Sequence, residues 1–226
     1  MPLGCGCGCG VSNARGSAFV RNTQLPPWQQ GIEGAAVVKS GGYTFLLALC
    51  EGNSCSAGSA GQKPGGGLIL VYYLNPTTLR WTYNDKISLP TDLPFVDFSG
   101  MDVRPNGAAW DIGIVSQENS GVYFGTIQAQ PDATKPTMLD WHVNATKGVV
   151  YFPSGYCNVE GFAFLGSTSR FATCSDATKS TQSNSCKVKE QSVHIWQLAT
   201  AGAGWAEQPE LPEQLPDGAV VVPSGL

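Results

Sequence analysis

The sequence predicts an all-β protein that contains three copies of one unit of about 60 residues. The chain has 226 residues, of which 42% are hydrophobic and 13% are charged. It also has 28 glycines and 15 prolines, a composition typical of many short strands joined by turns. Three strand patterns and a tryptophan recur in the same order in each copy, which indicates a repeated architecture.

Each copy opens with an apolar strand that carries a glycine near its start, at residues 32–37, 98–103 and 159–164. These openings are 66 and 61 residues apart (33 to 99, then 99 to 160). A second strand is predicted at 43–50, 110–116 and 170–175. A third is predicted at 67–74, 121–127 and 192–198. The fourth strand position carries Trp81, Trp141 and Trp205.

Four strands per unit are typical of propeller blades, whereas a β-sandwich would not repeat one order of landmarks three times. We therefore expect a partial β-propeller with three four-stranded blades at about 29–90, 91–152 and 153–210. Propellers typically need 4 to 8 blades to close a ring. The expectation is thus a fragment of a six-bladed parent, or a homodimer that closes the ring. Residues 1–28 are predicted to be a disordered Cys/Gly-rich leader, and 211–226 a tail or closing strand.

The repeated glycines have a predicted structural role. Gly34, Gly100 and Gly161 fall where the innermost strands would crowd one another, and a missing side chain permits close backbone approach. The repeated tryptophans are expected to pack between blades rather than to serve as ligand platforms.

Polar side chains are predicted to gather at one end of the blades. Because neighbouring strands alternate in direction, the start of each inner strand and the end of each second strand share that end. The candidate binding residues at this channel mouth are Glu33, Ser99, Glu160, Glu51, Asn53, Glu118, Asn119 and Asp176. Functional residues concentrate on such loops, although acids and amides also occur there simply to form exposed turns.

Calcium is the cofactor that this set would suit. Ca²⁺ takes 6 to 8 oxygen ligands, and Glu33 and Glu160 are the candidate metal ligands. A bound ion of this kind could polarise an ester or phosphoryl oxygen. His194 lies on a predicted strand and is a candidate general base, although a packed or surface histidine is the more common role.

Cysteine positions predict two local disulfides. Cys50 and Cys55 flank the first acidic tip, and Cys174 and Cys186 flank the corresponding loop of the third unit. Cys157 is left without an evident partner. Such pairs indicate an oxidising compartment, so we expect a secreted or secretory-pathway protein. The N-terminus of this sequence lacks the pattern of a signal peptide, which a longer parent would supply upstream.

Several segments together carry a family resemblance: residues 115–120, 158–161, 174–176 with Lys179, and Cys186 with 189–194. The chain resembles uncharacterised propeller proteins of fungi and algae over residues 30–200. More distantly, the Glu-Gly opening of the inner strand is similar to esterase-like phytase and paraoxonase or lactonase propellers. That resemblance implies six blades and, in some members, a calcium ion in the central channel. Ser99 departs from the pattern, because the other copies have Glu33 and Glu160 there.

Charge and motif content narrow the classes of function. A net charge of −4 argues against nucleic acid and anionic membrane, because both need a basic surface. No apolar run is long enough for a membrane span, and no serine-hydrolase elbow or zinc-protease motif occurs. We therefore expect a scaffold that binds a small molecule or a protein through the channel-mouth loops. The alternative is a calcium-dependent hydrolase of the esterase, lactonase or phosphatase type, with no catalytic residue identified.

Overall fold

A computed structural model describes residues 31–131, 139–143, 148–152, 156–167 and 169–197. These residues form three antiparallel sheets, which confirms the all-β prediction. The predicted leader 1–28, the strand around Trp205 and the tail 211–226 lie outside the described residues. Within the described ranges, no helix is long and apolar enough to cross a membrane.

The first sheet is a four-stranded meander in which each strand pairs with the next one along the chain. Its strands are β1 (Ile32–Ser40), β2 (Tyr43–Cys50), β3 (Leu68–Asn75) and β4 (Arg80–Ser88). A loop between β2 and β3 holds a 3-10 helix (Asn53–Cys55) and a single helical turn, α1 (Gly58–Gly61). The strands follow the predicted positions closely because each apolar run alternates between two sheet faces.

The middle sheet repeats this meander and adds one strand that was not predicted. It contains β5 (Gly100–Asn106), β6 (Ala109–Ser116), β7 (Gly121–Pro131) and β8 (Leu139–Val143). The additional strand is β9 (Val149–Tyr151), which pairs with the first half of β7. The third sheet contains β10 (Val159–Phe164), β11 (Arg170–Ser175) and β12 (Val193–Gln197). A 3-10 helix (Asn184–Lys189) lies in the loop between β11 and β12.

The three sheets stack face to face, and the middle sheet is covered on both sides. One core joins Phe45, Leu47 and Ile69 of the first sheet to Ile112 and Ile114 of the middle sheet. A second core joins the opposite face of the middle sheet to the third sheet. Its members include Val115, Val122, Phe124, Phe162, Phe171 and Trp196. Alternation along each strand therefore sends neighbouring residues into two different cores.

Hydrogen bonds tie the middle sheet to the third sheet at both ends of β10. The hydroxyl of Ser99 donates to the carbonyl of Val159 at 2.5 Å. The carboxylate of Asp102 accepts from the amide of Phe164 at 2.8 Å. The first strands of neighbouring units consequently run beside each other.

The repeated glycines allow this approach, as predicted. A Cβ on Gly34 would lie 2.9 Å from the backbone nitrogen of Met101, at the first strand of the next sheet. A Cβ on Gly100 would lie 3.0 Å from the carbonyl oxygen of Glu160 and 3.1 Å from the Cα of Gly161. Gly161 has a different neighbour, because its Cβ would meet the sulfur of Cys174 at 2.5 Å.

Replacing Gly34 by alanine tests the close approach of the first and middle sheets. The added methyl group would meet backbone atoms of Met101, which cannot rotate away. We expect a loss of about 1–3 kcal/mol in the free energy of unfolding, as for other overpacked sites. Chemical denaturation measures it, with Ala35→Ser on the same strand as the control. Equal stability of Gly34→Ala and the control would contradict the role assigned to Gly34.

Candidate functional site

Six carboxyl groups gather at one end of the three sheets. The first two strands of each sheet are antiparallel, so β1, β5 and β10 start where β2, β6 and β11 end. We call this region the acidic end and define it by Glu33, Glu51, Asp97, Glu118, Glu160 and Asp176. The predicted meeting of inner-strand starts and second-strand ends is therefore present.

Glu33 and Glu51 face each other across the start of the first sheet. A Cβ on Gly31 would lie 3.2 Å from Oε1 of Glu33 and 3.8 Å from Oε2 of Glu51. The Glu51 amide donates to the carbonyl of Gly31, and the Glu51 carbonyl accepts from the amide of Phe98. Burial raises the pKa of Glu51, and the charges of Glu33 and Asp97 raise it further.

Asp97 connects the first and middle sheets at the acidic end. Its carboxylate accepts from the hydroxyl of Ser116 at 2.5 Å and from the amide of Glu118 at 3.1 Å. Burial raises the pKa of Asp97, while these two hydrogen bonds lower it. The net direction is upward, so this carboxyl group is ionised at a cost.

Glu160 has the most perturbed carboxyl group of the acidic end. Burial raises the pKa of Glu160 to about 7, and the charges of Asp176, Asp97 and Glu33 contribute in the same direction. The side-chain amide of Gln117 donates to Oε1 of Glu160. Glu160 therefore changes its charge near neutral pH, unlike an ordinary glutamate.

Lys179 brings a positive charge into the acidic end. Its ammonium group lies 2.5 Å from Oε1 of Glu118, and both side chains are partly exposed. The same ammonium group lowers the pKa values of Asp97 and Glu160. The loop that carries Lys179 therefore neutralises part of the negative charge of the acidic end.

Two of the predicted binding residues hold a loop. The amide group of Asn53 is buried, and it donates to the carbonyls of Gly61 and Phe95. The amide group of Asn119 donates to the carbonyl of Pro94 and accepts from the amide of Val96. Both side chains thus hold the chain just before β5, and their polar atoms are used within the protein.

The side chain of Ser99 is likewise used within the protein. It is 8% exposed, and its hydroxyl contacts the carbonyls of Val115 and Val159. Among the predicted binding residues, the acids Glu33, Glu51, Glu118, Glu160 and Asp176 remain at the acidic end. The sequence reasoning missed Asp97 and Gln117. Asp97 stands three residues before Gly100, as Asn158 does before Gly161, so the repeat alignment contained the signal.

The disulfides correct one predicted pair. Cys50 and Cys55 are bonded, as expected. The predicted bond between Cys174 and Cys186 is wrong, because Cys186 is bonded to Cys157. Cys174 forms no disulfide with any of the described cysteines.

Strand register explains this error. Cys50 is opposite Ile32, and the residue opposite the equivalent Val159 is Ser175. Cys174 is therefore one residue out of step with Cys50, and a shift of one residue turns a side chain to the other sheet face. Ser175 takes the position of Cys50, and its hydroxyl donates to the carbonyl of Lys189.

His194 has the hydroxyl group of Ser192 as a neighbour. It lies on the sheet face opposite Val193 and Ile195, as predicted, and its Nε2 is 2.8 Å from Oγ of Ser192. That hydroxyl donates to the carbonyl of Lys189 at 2.5 Å. The Oγ atom of Ser192 thus contacts both a backbone carbonyl and the ring of His194.

No three Asp, Glu, His or Cys side chains lie close enough to hold a metal ion within the part of the chain that the structure describes. Glu33 and Glu160 interact electrostatically, but they do not form such a group. Comparisons of the chain with protein-family models, curated proteins and solved structures found no match.

Serine substitutions distinguish the observed disulfide from the predicted one. Cys157 and Cys186 are 29 residues apart, and closing a loop of that length contributes roughly 3–4 kcal/mol in the chain-entropy model. We expect Cys157→Ser and Cys186→Ser to lower the unfolding free energy by that order. Cys174→Ser is the matched control and should leave it nearly unchanged. A large loss for Cys174→Ser together with none for Cys157→Ser would overturn the pairing.

The raised pKa of Glu160 predicts that stability falls as the pH rises. The folded state holds this proton up to about pH 7, whereas the ordinary pKa is 4.5. Stability from Glu160 is therefore lost between about pH 4.5 and 7. The expected loss is on the order of 1 kcal/mol, because the carboxyl group is partly solvated.

Thermal unfolding of Glu160→Gln against pH measures this effect. The variant should have a flatter dependence than the parent chain between those two pH values. Asp140→Asn, which removes an exposed carboxylate from β8, should keep the slope of the parent. An unchanged slope in Glu160→Gln would show that this carboxyl group titrates normally.

Proposed function

We propose that the protein is a propeller-type binding module whose acidic end holds a cationic group of a small molecule or a protein. One observation carries this proposal: six carboxyl groups meet at one end of the sheets, and three of them have raised pKa values. Like charges held together in a partly buried site are costly to ionise. A positively charged ligand relieves that cost, so the acidic end favours ammonium or guanidinium groups.

The propeller assignment rests on the repetition of the sheets. The first strands of the first and middle sheets each lie beside the first strand of the following sheet, and glycines permit this contact at Gly34 and Gly100. Each following strand then lies farther from that contact along the order β1-β2-β3-β4 and its equivalents. In a propeller, blades are arranged in this way around a central channel. We therefore propose that the three sheets are three blades of a larger ring.

Lys179 supports a cationic ligand by its own position. Its ammonium group already contacts Glu118 and lowers the pKa of Glu160, so the site accepts a positive charge from within the chain. Both members of this pair are partly exposed, and exposed ion pairs contribute only about 0.2–1 kcal/mol. A ligand cation can displace Lys179 at little cost.

The alternative is a calcium-dependent hydrolase of the esterase, lactonase or phosphatase type. The donors at the acidic end are all oxygens, which is the chemistry that Ca²⁺ prefers. Glu33 and Glu160 would be its ligands, and the ion would polarise the substrate oxygen. The distant resemblance to paraoxonase and phytase propellers favours the same reading. Within the described residues, no three of these carboxylates form a group that could hold a metal ion.

We also propose a secreted or secretory-pathway location. Two disulfides are compatible with an oxidising compartment, and both fix loops near the acidic end. The loop that carries Lys179 contains Cys186, so the bond to Cys157 limits where that lysine can lie.

Binding of a fluorescent oligolysine peptide tests the proposal. We expect Glu160→Gln and Asp97→Asn each to weaken binding about five-fold, the effect of roughly 1 kcal/mol. Lys179→Gln should tighten binding, since it removes a competing cation. Asp140→Asn removes the same charge far from the acidic end and should change affinity little. Equal losses for all carboxylate variants would indicate attraction by overall charge, and no binding at all would reject a cationic ligand.

Calcium titration distinguishes the calcium-dependent hydrolase from the module that binds an organic cation. Calorimetry with Ca²⁺, before and after EDTA, would reveal a site that depends on Glu33 and Glu160. Saturable binding abolished by Glu33→Gln, together with hydrolysis of an ester, lactone or phosphate, would favour the hydrolase. Binding of the peptide with no heat from Ca²⁺ would favour the module that binds an organic cation.

A further inference from the structure

The first and third sheets each have a face that points away from the middle sheet, and both faces carry exposed apolar side chains. On the first sheet, one cross-strand row of this outer face contains Val37, Leu46, Tyr72 and Tyr83. Val37 is 59% exposed and Tyr83 is 47% exposed. On the third sheet, Val193 and Ile195 are 70% and 46% exposed.

The outer face of the first sheet corresponds to faces that are buried elsewhere in the stack. The residue three positions before the cross-strand partner of the glycine is Leu46 in β2, Ile112 in β6 and Phe171 in β11. These three residues are therefore equivalent. Ile112 faces the first sheet, and Phe171 faces the middle sheet. In both later units, then, this face receives the preceding sheet.

The outer face of the third sheet corresponds to the opposite set of faces. Gly34, Gly100 and Gly161 each have one cross-strand partner on the second strand of their sheet. These partners are Leu49, Val115 and Cys174, which therefore occupy equivalent positions. Leu49 faces the middle sheet, and Val115 faces the third sheet. In both earlier units, this face receives the following sheet.

We propose that the outer face of the third sheet packs against the outer face of the first sheet in a second copy of this chain. Each copy would use both faces, so two equivalent junctions would close a ring of six sheets with two-fold symmetry. A second copy is the expected partner because both junctions inside the chain join the same two kinds of face in the same order. The proposal does not depend on which ligand the acidic end binds.

Side-chain size is complementary across the proposed junction. The outer face of the third sheet carries small residues beside its two exposed apolar ones, namely Ala163, Ala172 and Cys174. The outer face of the first sheet carries the bulky Leu46, Tyr72 and Tyr83, next to a part where Ala48 and Leu70 pack against the disulfide of Cys50 and Cys55. The junction between the middle and third sheets is built likewise, because the ring of Phe162 occupies the space that a side chain on Gly113 would fill.

The mass in solution tests the proposal. The complete chain, with its disulfides intact, should have twice the 23.8 kDa chain mass in light scattering at micromolar concentration. Val37→Asp on the first sheet and Val193→Asp on the third sheet should each halve that mass. Leu79→Asp is the matched control, since Leu79 is 68% exposed but lies in the turn between β3 and β4. It should leave the dimer intact.

Mixing the two variants tests the head-to-tail geometry. A mixture of Val37→Asp and Val193→Asp retains one junction in which both faces are unaltered, so the dimer mass should return. Circular dichroism of each variant checks that the sheets are folded. A monomeric parent chain, a dimer that survives either substitution, growth into larger assemblies or no recovery in the mixture would each overturn the proposal. All three substitutions lie outside the acidic end, so failure here leaves the cation-binding test unaffected.

Discussion

The close packing of the first strands is the constraint on which the rest of the structure depends. Where β1 passes β5, the Cα hydrogens of Gly34 leave room for the backbone of Met101. Where β5 passes β10, Gly100 does the same for Glu160. The later strands of the middle sheet follow one another away from this contact, and the two faces of this sheet are covered by different neighbouring sheets. The two separate cores follow directly from that arrangement.

The same constraint creates the electrostatics of the acidic end. Glu33 and Glu160 precede Gly34 and Gly161, at the starts of first strands that pack side by side. Their charges therefore interact although the two residues are far apart in sequence. Desolvation by the surrounding loops then raises the pKa of Glu160, and repulsion adds to it. A carboxyl group with a raised pKa costs stability at neutral pH, and strongly shifted pKa values are enriched at functional sites.

The all-β class and the strand positions were predictable, because alternation along a strand is a property of the sequence itself. The strands β2 and β11 begin and end at the predicted residues. The candidate site was predictable only in part. Its acids follow from the repeat, but Asn53 and Asn119 look like ligands in a sequence and act as loop anchors, since hydrogen-bond partners are set by tertiary contacts. The pairing of Cys186 depended on a register offset of one residue, and the three-residue β9 is too short to show an alternating pattern.

Neighbouring sheets meet through two different faces, and this has a consequence for how such a chain can change during evolution. At every junction, the face that receives the following sheet meets the face that receives the preceding sheet. A gene duplication that adds one unit would therefore create a new junction of the existing kind. A deletion likewise leaves the remaining junctions intact. The loops can meanwhile differ from one another, as they do here: one acidic tip is held by a short disulfide at Cys50 and Cys55, and another by the longer bridge at Cys157 and Cys186. The scaffold thus separates the number of its units from the chemistry displayed at their ends.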